Sequence, residues 1–192
     1  MNKQTLTSIQ HGDKTAFAAL IGRYQKPLFA YLGKMALPQA IAEEIAQETF
    51  IRAWQAKESF DPERASIITW LFTIARRLAL NELDRVARRF EVSDQISTGS
   101  DAHSTASDYE DGSFTNPQAL LQKSELKNAL WQALAKLSPH DRSLVALAYI
   151  KELEFAAIAE IEDIPVGTVK SRLHRIRQQL KNTLSGEAFH EQ

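Results

Sequence analysis

Five cations, Lys170, Arg172, Arg175, Arg177 and Lys181, fall within twelve residues with no acidic residue among them. Ammonium and guanidinium groups at that density suit phosphate oxygens, and an arginine fork or a hydroxyl such as that of Ser171 can also reach a base edge. A second group mixes rings with basic and amide side chains: Trp70 and Phe72 beside Arg76, Arg77, Asn81 and Arg85. That mixture suits unstacked bases, which stack on rings while their phosphates meet positive charge. A tryptophan on a helix is equally at home in a core, and the two readings of Trp70 stand level on the residues alone. A third group, Glu43, Glu44, Gln47, Glu48 and Arg52, makes one polar face. Such a face is either solvated, which is commoner, or a docking surface for a basic partner.

Other chemistries lack their residues. The histidines, His11, His103, His140, His174 and His190, are far apart with no i, i+4 pair, and there is no cysteine. No metal, disulfide or thiolate chemistry is therefore expected. Seven glycines form no phosphate-cradling loop, and no G-x-S-x-G nucleophile turn occurs. No cofactor, no small-molecule substrate and no enzymatic activity are expected. The amino terminus lacks the apolar stretch of a secretory signal, and no apolar run is long enough to cross a bilayer. The expected location is the cytoplasm, without membrane insertion.

Helices must position these groups. Val169, Leu173, Ile176 and Leu180 recur at spacings of four, three and four, one apolar stripe with the cations on the other faces. Pro165 suits a helix entry, and Thr168 is the expected N-cap. Upstream, Phe155, Ile158, Ala159 and Ile161 predict a shorter helix, with Glu162 and Asp163 as the turn. Helix, tight turn and basic helix make a helix-turn-helix, whose second helix enters the major groove. A solvated basic face is the alternative; the preceding helix and turn favour DNA. Before it, Ser138-Pro139 starts a helix carrying Leu144, Val145 and Leu147, and a leucine-rich helix runs from Leu120 to Leu137.

In the first half, Asp13 caps a predicted helix with Phe17, Leu20 and Tyr24, and Pro27 is expected to restart a second one with Leu28, Tyr31 and Leu32. From Pro38, Ile41, Ile45, Thr49 and Ala53 mark the buried edge of the next helix, with Ala42, Ala46, Phe50 and Trp54 beside them. After a Ser59–Pro62 loop, a long helix from about Ala65 to Arg89 buries Ile67, Trp70, Leu71, Ile74, Leu78 and Leu83. Arg76, Arg77, Asn81, Arg85, Arg88 and Arg89 are expected to project elsewhere.

Net charge is −1, and its distribution divides the chain. Through Arg89 there are 13 basic and 9 acidic residues; from Phe90 to Gln118 there are none and six; from Ala119 there are 10 and 9. The middle stretch, rich in Ser, Thr, Asp and Gly and without periodicity, reads as a flexible acidic linker. It would span roughly 30 Å as a random coil. The expected fold is all-α: a helical domain over 1–89, a disordered linker over 90–117, a helix-turn-helix domain over 118–185 and a frayed tail over 186–192.

Two stretches resemble a known family. AEEIAQETFIRAW followed by TWLFTIARRLALNELDR resembles region 2 of bacterial sigma-70-type factors, and LSPHDRSLVALAYIKELEFAAIAEIEDIPVGTVKSRLHRIRQQL resembles their region 4. With both in the family's order and no room for other regions, the chain is similar to the extracytoplasmic-function group. The resemblance implies a protein that binds core RNA polymerase and promoter DNA, reading the −10 element with region 2 and the −35 element with region 4. It implies that Glu44, Gln47 and Glu48, with Glu43 on the same face, dock on the clamp helices of the largest polymerase subunit. Trp70, Arg76, Arg77 and Asn81, followed by Arg85, would form the −10 set. Lys170, Ser171, Arg172 and Arg175, flanked by Thr168 and Arg177, would form the −35 set. An anti-sigma partner is also implied. Arg77 stands where many members carry an asparagine that helps capture a −10 base, and Asp163 where they carry the turn glycine.

Two rival readings remain open at this point. One is a transcription regulator that binds an operator through the helix-turn-helix without entering polymerase. The other is a DNA-free adaptor, which would have no use for Arg172 and Arg175.

Overall fold

A computed structural model describes residues 3–93, 129–150 and 153–187. Every regular element among them is helical. The first half holds α1 (Lys3–Gln10), α2 (Lys14–Lys34), α3 (Gln39–Gln55), a 3-10 turn (Lys57–Ser59) and α4 (Ile67–Ser93). The second half holds a helical segment α5 over 129–135, then α6 (Pro139–Ala148), α7 (Phe155–Glu162) and α8 (Val166–Glu187). The predicted linker lies outside the described residues beyond Ser93, as do Leu120, Leu121 and Leu126 of the leucine-rich helix and the last five residues of the tail.

Local chemistry sets the helix starts. Asp13 Oδ1 accepts from the amides of Thr15 and Ala16 at 2.8 and 3.2 Å, capping α2. Ser66 Oγ accepts from the Thr69 amide at 3.2 Å at the head of α4. Ser138 Oγ accepts from the Asp141 amide at 3.1 Å, with Pro139 at the first helical position of α6. Asp61 Oδ1 turns the loop before α4 by accepting from the Glu63 amide at 2.9 Å.

Three expectations are corrected. Pro27 does not restart a helix; it lies inside α2, which is continuous. A proline in a helix interior costs ~3 kcal/mol, but Leu20, Tyr24, Leu28, Tyr31 and Leu32 all bury on one stripe of that helix and outweigh it. Ahead of Asp13, α1 buries Leu6 and Ile9, three residues apart, against the core. The long helix runs four residues past Arg89, to Ser93, and α8 continues through Gly186 to Glu187.

The core of α1–α4 gathers Leu28, Leu32, Met35, Leu71, Phe72, Ala75 and Ala79, all essentially without exposed surface. Phe72 meets Tyr31 edge-on, ring centroids 5.5 Å apart. In α3, Ala42, Ile45, Ala46, Thr49, Phe50 and Ala53 are buried as their spacing predicts. In the second half, Leu134, Leu137, Leu144, Leu147, Ile158, Ile161, Val169, Leu173 and Ile176 are buried.

The two halves are not apart. Helix α7 packs on α4 and α6 packs on α2, so buried apolar residues form one continuous cluster from Leu6 to Ile176. The cationic face of α8 nevertheless remains outside that cluster, since only its Val169, Leu173 and Ile176 stripe is buried.

Candidate nucleic-acid interface

The turn between α7 and α8 is made by Asp163, which adopts the left-handed conformation at φ 55°, ψ 47°. Aspartate tolerates that region better than most residues. The Asp163 amide donates to the Glu160 carbonyl at 3.3 Å and the Ile164 amide to the Ala159 carbonyl at 3.0 Å, closing the helix end in the usual αL fashion. The chain then enters α8 three residues earlier than an N-cap at Thr168 predicts. The Pro165 carbonyl already accepts from the Thr168 and Val169 amides at 2.9 and 3.1 Å, so Thr168 lies inside the helix and is not its N-cap. Glu162, expected in the turn, is the last residue of α7 and is buried.

On α8 the apolar stripe fixes the roll of the helix, and Lys170, Ser171, Arg175 and Arg177 are exposed; Thr168 and Arg172 are half-buried. Ser171 Oγ donates to the Thr168 carbonyl at 3.1 Å, leaving its lone pairs free to accept. Lys170 Nζ stands 5.9 Å from the centroid of the exposed Phe155 ring on α7. Arg175 donates to Asp141 Oδ2 on α6 at 3.2 Å. Lys170, Arg172, Arg177 and Lys181 form none of the described ion pairs. The result is a convex helix face with donors outward, the form that fits a major groove.

On α4 the −10 set divides. At about 100° per residue, Trp70, Arg77, Asn81 and Arg85 share one side of the helix, whereas Arg76 points about 120° away from Trp70. Arg77, Asn81 and Arg85 are exposed. Arg85 is tied to Glu82 by two bonds, Nε–Oε2 at 2.7 Å and Nη2–Oε1 at 2.6 Å. Trp70 is half-buried, its ring 5.0 Å from that of Phe60, with part of its surface still available to a base. Phe72 is wholly buried and cannot meet a base without unfolding the helix packing.

Arg76 does not project into solvent as expected. Its side chain is 13% exposed and meets Glu162 Oε2 of α7 at 3.0 Å and His140 Nδ1 of α6 at 3.2 Å. Sequence reasoning missed Glu162 as a partner, although a signal was present: it lies four residues after Ile158, on the buried stripe of α7.

The acidic face of α3 is where its pattern places it. Glu43, Glu44 and Gln47 are exposed and Glu48 is half-buried. Glu43 accepts from Gln39 Nε2 at 3.0 Å, and Glu48 accepts from Arg52 Nε at 2.7 Å. Glu44 and Gln47 have no such neighbour within the helix, so two outward acceptors stand ready for a partner. Among the described residues no cluster of three His, Asp or Glu side chains could hold a metal ion, and no helix is long and apolar enough to cross a membrane.

Comparison with known proteins adds to this geometry. Residues 20–89 match Sigma-70 region 2 and residues 127–180 match Sigma-70 region 4. The ECF RNA polymerase sigma factor SigW of Bacillus subtilis is 33% identical over 184 residues, covering 96% of this chain and 97% of its own. The ECF RNA polymerase sigma-E factor of Haemophilus influenzae is 32% identical over 176 residues, covering 92% and 91%. Two solved structures share the fold. CnrH, in complex with the cytosolic domain of CnrY, has a TM-score of 0.65 at 21% identity and covers 95% of this chain and 96% of its own. The sigma factor RpoE, in complex with the anti-sigma factor NepR from Bartonella quintana, has a TM-score of 0.68 at 24% identity and covers 88% and 96%.

Proposed function

This chain belongs to the extracytoplasmic-function group of sigma-70 factors, and on that premise we propose how its residues divide the work of promoter-specific initiation. The chain binds core RNA polymerase in the cytoplasm and carries it to promoters. The α1–α4 half serves the −10 element and the α5–α8 half the −35 element, with the acidic segment between them as tether.

Lys170, Ser171, Arg172 and Arg175, with Thr168 and Arg177, read and grip the −35 duplex. Lysine and arginine neutralise phosphates; Ser171 and the arginine forks supply base-edge contacts worth roughly 1–3 kcal/mol of discrimination each. Trp70, Arg77, Asn81 and Arg85 receive the opened −10 strand, the ring stacking on a base while the cations meet its phosphates. Glu43, Glu44, Gln47 and Glu48 dock on the basic clamp helices of the largest polymerase subunit. Neither half offers enough surface to be selective alone, so joint delivery by polymerase raises their effective concentration on one promoter. An anti-sigma protein that covers these faces would keep the chain off polymerase.

The observation that carries this reading is the roll of α8: Val169, Leu173 and Ile176 are buried while Lys170, Ser171, Arg175 and Arg177 face outward behind a left-handed Asp163 turn. Run-off transcription with purified core polymerase tests it. Initiation at a specific promoter only when this chain is added supports the reading. Specific duplex binding without initiation would instead favour an operator-binding regulator, and neither activity would favour an adaptor.

A further inference from the structure

A cavity of about 320 Å³ opens at the seam where α6 packs on α2 and α4. Its α2 wall is one stripe of that helix, Tyr24, Pro27, Tyr31 and Lys34, spaced three, four and three apart. Ile68 of α4 and Ile150, just beyond α6, supply aliphatic carbon from the other elements. Two of the lining residues, Ala30 of α2 and Ala146 of α6, carry only a methyl group, and that leaves the space unfilled. Small-molecule sites run from roughly 300 to 1,000 Å³, and this hollow falls within that range. Tyr149, which also lines it, is 73% exposed, the most exposed large apolar side chain among the described residues.

Lys34 is the only charged residue in the lining. It is half-buried, and burial lowers the pKa of its ammonium group. None of the described ion pairs includes it. Its Nζ donates to the Ala30 carbonyl at 3.4 Å, a long bond to a neutral acceptor. A cation drawn out of water without a countercharge is costly, and an anion in the cavity would relieve that cost.

The rest of the lining narrows the anion. No acidic residue among the described ones lines the cavity to repel it. The Tyr31 hydroxyl is already bonded to Ser143 Oγ at 2.9 Å. Recognition therefore falls to one ammonium group and to apolar contact. A sugar or nucleotide would leave many polar groups unmatched against such walls. A phosphate monoester, nearly a dianion, would meet only one cation. A single carboxylate on an apolar tail matches both the charge and the walls.

We propose that the α2–α4–α6 cavity binds a small amphipathic carboxylate, with its tail against Pro27, Ile68 and Ile150 and its carboxylate on Lys34 Nζ. The site gives the chain a small-molecule ligand beside its macromolecular partners. It shares no residue with the −10, −35 or acidic faces and rests on none of the roles assigned to them.

Octanoate and the full chain test the site. Titration calorimetry should show one saturable site, and octanoate should raise the melting temperature by mass action. Octanol has the same tail without the charge and should bind about tenfold or more weakly. Lys34→Met should weaken octanoate to the octanol level and leave octanol nearly unchanged. Ala30→Phe, at an exposed position of α2, fills the cavity and should abolish binding of both. Circular dichroism checks the helix content of each variant. Should Ala30→Phe lose helix, Ala30→Leu is read in its place and should weaken both ligands. The proposal is overturned by any of three results: no saturable octanoate binding, octanol binding as tightly as octanoate, or octanoate binding unchanged by Lys34→Met or by the filling variant. No DNA or polymerase enters the measurement, so it stands or falls separately from run-off transcription.

Discussion

Arg175 of α8 and Asp141 of α6 face each other across the helix-turn-helix at 3.2 Å, with the arginine 64% exposed and the aspartate 14%. The carboxylate thus stands against a cation assigned to the −35 phosphate or base edge, and holds it in place at the expense of its charge. Asp141→Asn should free Arg175. Binding to a −35 duplex should tighten at low salt, and the slope of log affinity against log salt should steepen by about 0.9. A titration series across salt concentrations measures this. An unchanged slope would mean that Arg175 does not meet phosphate even when released.

Glu82 restrains Arg85 in a similar way, with the arginine side chain 49% exposed and the glutamate 17%. The hydrogen bond from Arg85 holds the Glu82 carboxyl below the usual carboxylate range. A folded-state pKa below the unfolded value means that the pair's stabilisation is present above the ordinary glutamate value, about 4.3, and is lost as pH falls through the lowered value. Solvent screening keeps the effect small. Glu82→Gln should lower the melting temperature slightly at pH 7, and that difference should shrink progressively in acid below about pH 4.3. A difference that grows in acid would refute the pairing as the cause.

What could be read before folding, and what could not, follows from the range of the forces involved. The buried stripe of α8, Val169, Leu173 and Ile176, is a local period of the helix and was legible. So was the Ser138 cap with Pro139, because both act within one turn. Pro27 misled because the local penalty of a proline is overridden by Leu28, Tyr31 and Leu32 packing against distant residues. Trp70 could not be assigned, since its half-burial depends on Phe60, which comes from the preceding loop. Least legible was the seam: Tyr31 and Ser143 are 112 residues apart, and no periodicity joins them. Arg76 and Arg77 are neighbours in sequence and of one residue type, yet one is held by Glu162 and the other is exposed.

The aromatic pair on α4 separates folding from promoter opening. Phe72 has no exposed surface and packs on Tyr31, so Phe72→Ala should cost about 3–5 kcal/mol and lower the denaturation midpoint accordingly. Trp70 retains exposed surface, and its ring leans on Phe60. Trp70→Ala should destabilise less and should slow initiation on duplex promoter while leaving a pre-melted template nearly unaffected. Equal loss on both templates would assign Trp70 to packing alone.

Glu44 and Gln47 provide the cleanest test of polymerase docking, because they are exposed while Ile45, Ala46 and Thr49 beneath them carry the packing of α3. A reversed charge at the surface perturbs stability by only a few tenths of a kcal/mol, within ±0.5. At an interface with a basic partner it juxtaposes like charges, which costs several kcal/mol. Glu44→Lys should therefore leave the melting temperature nearly unchanged and raise the Kd for core polymerase by about tenfold or more, measured by competition against a labelled wild-type chain. Glu63→Lys, on the exposed loop before α4, is the control for general charge effects and should leave that Kd within about twofold. Equal weakening by both variants would trace the effect to the overall field of the protein and remove the docking role from α3.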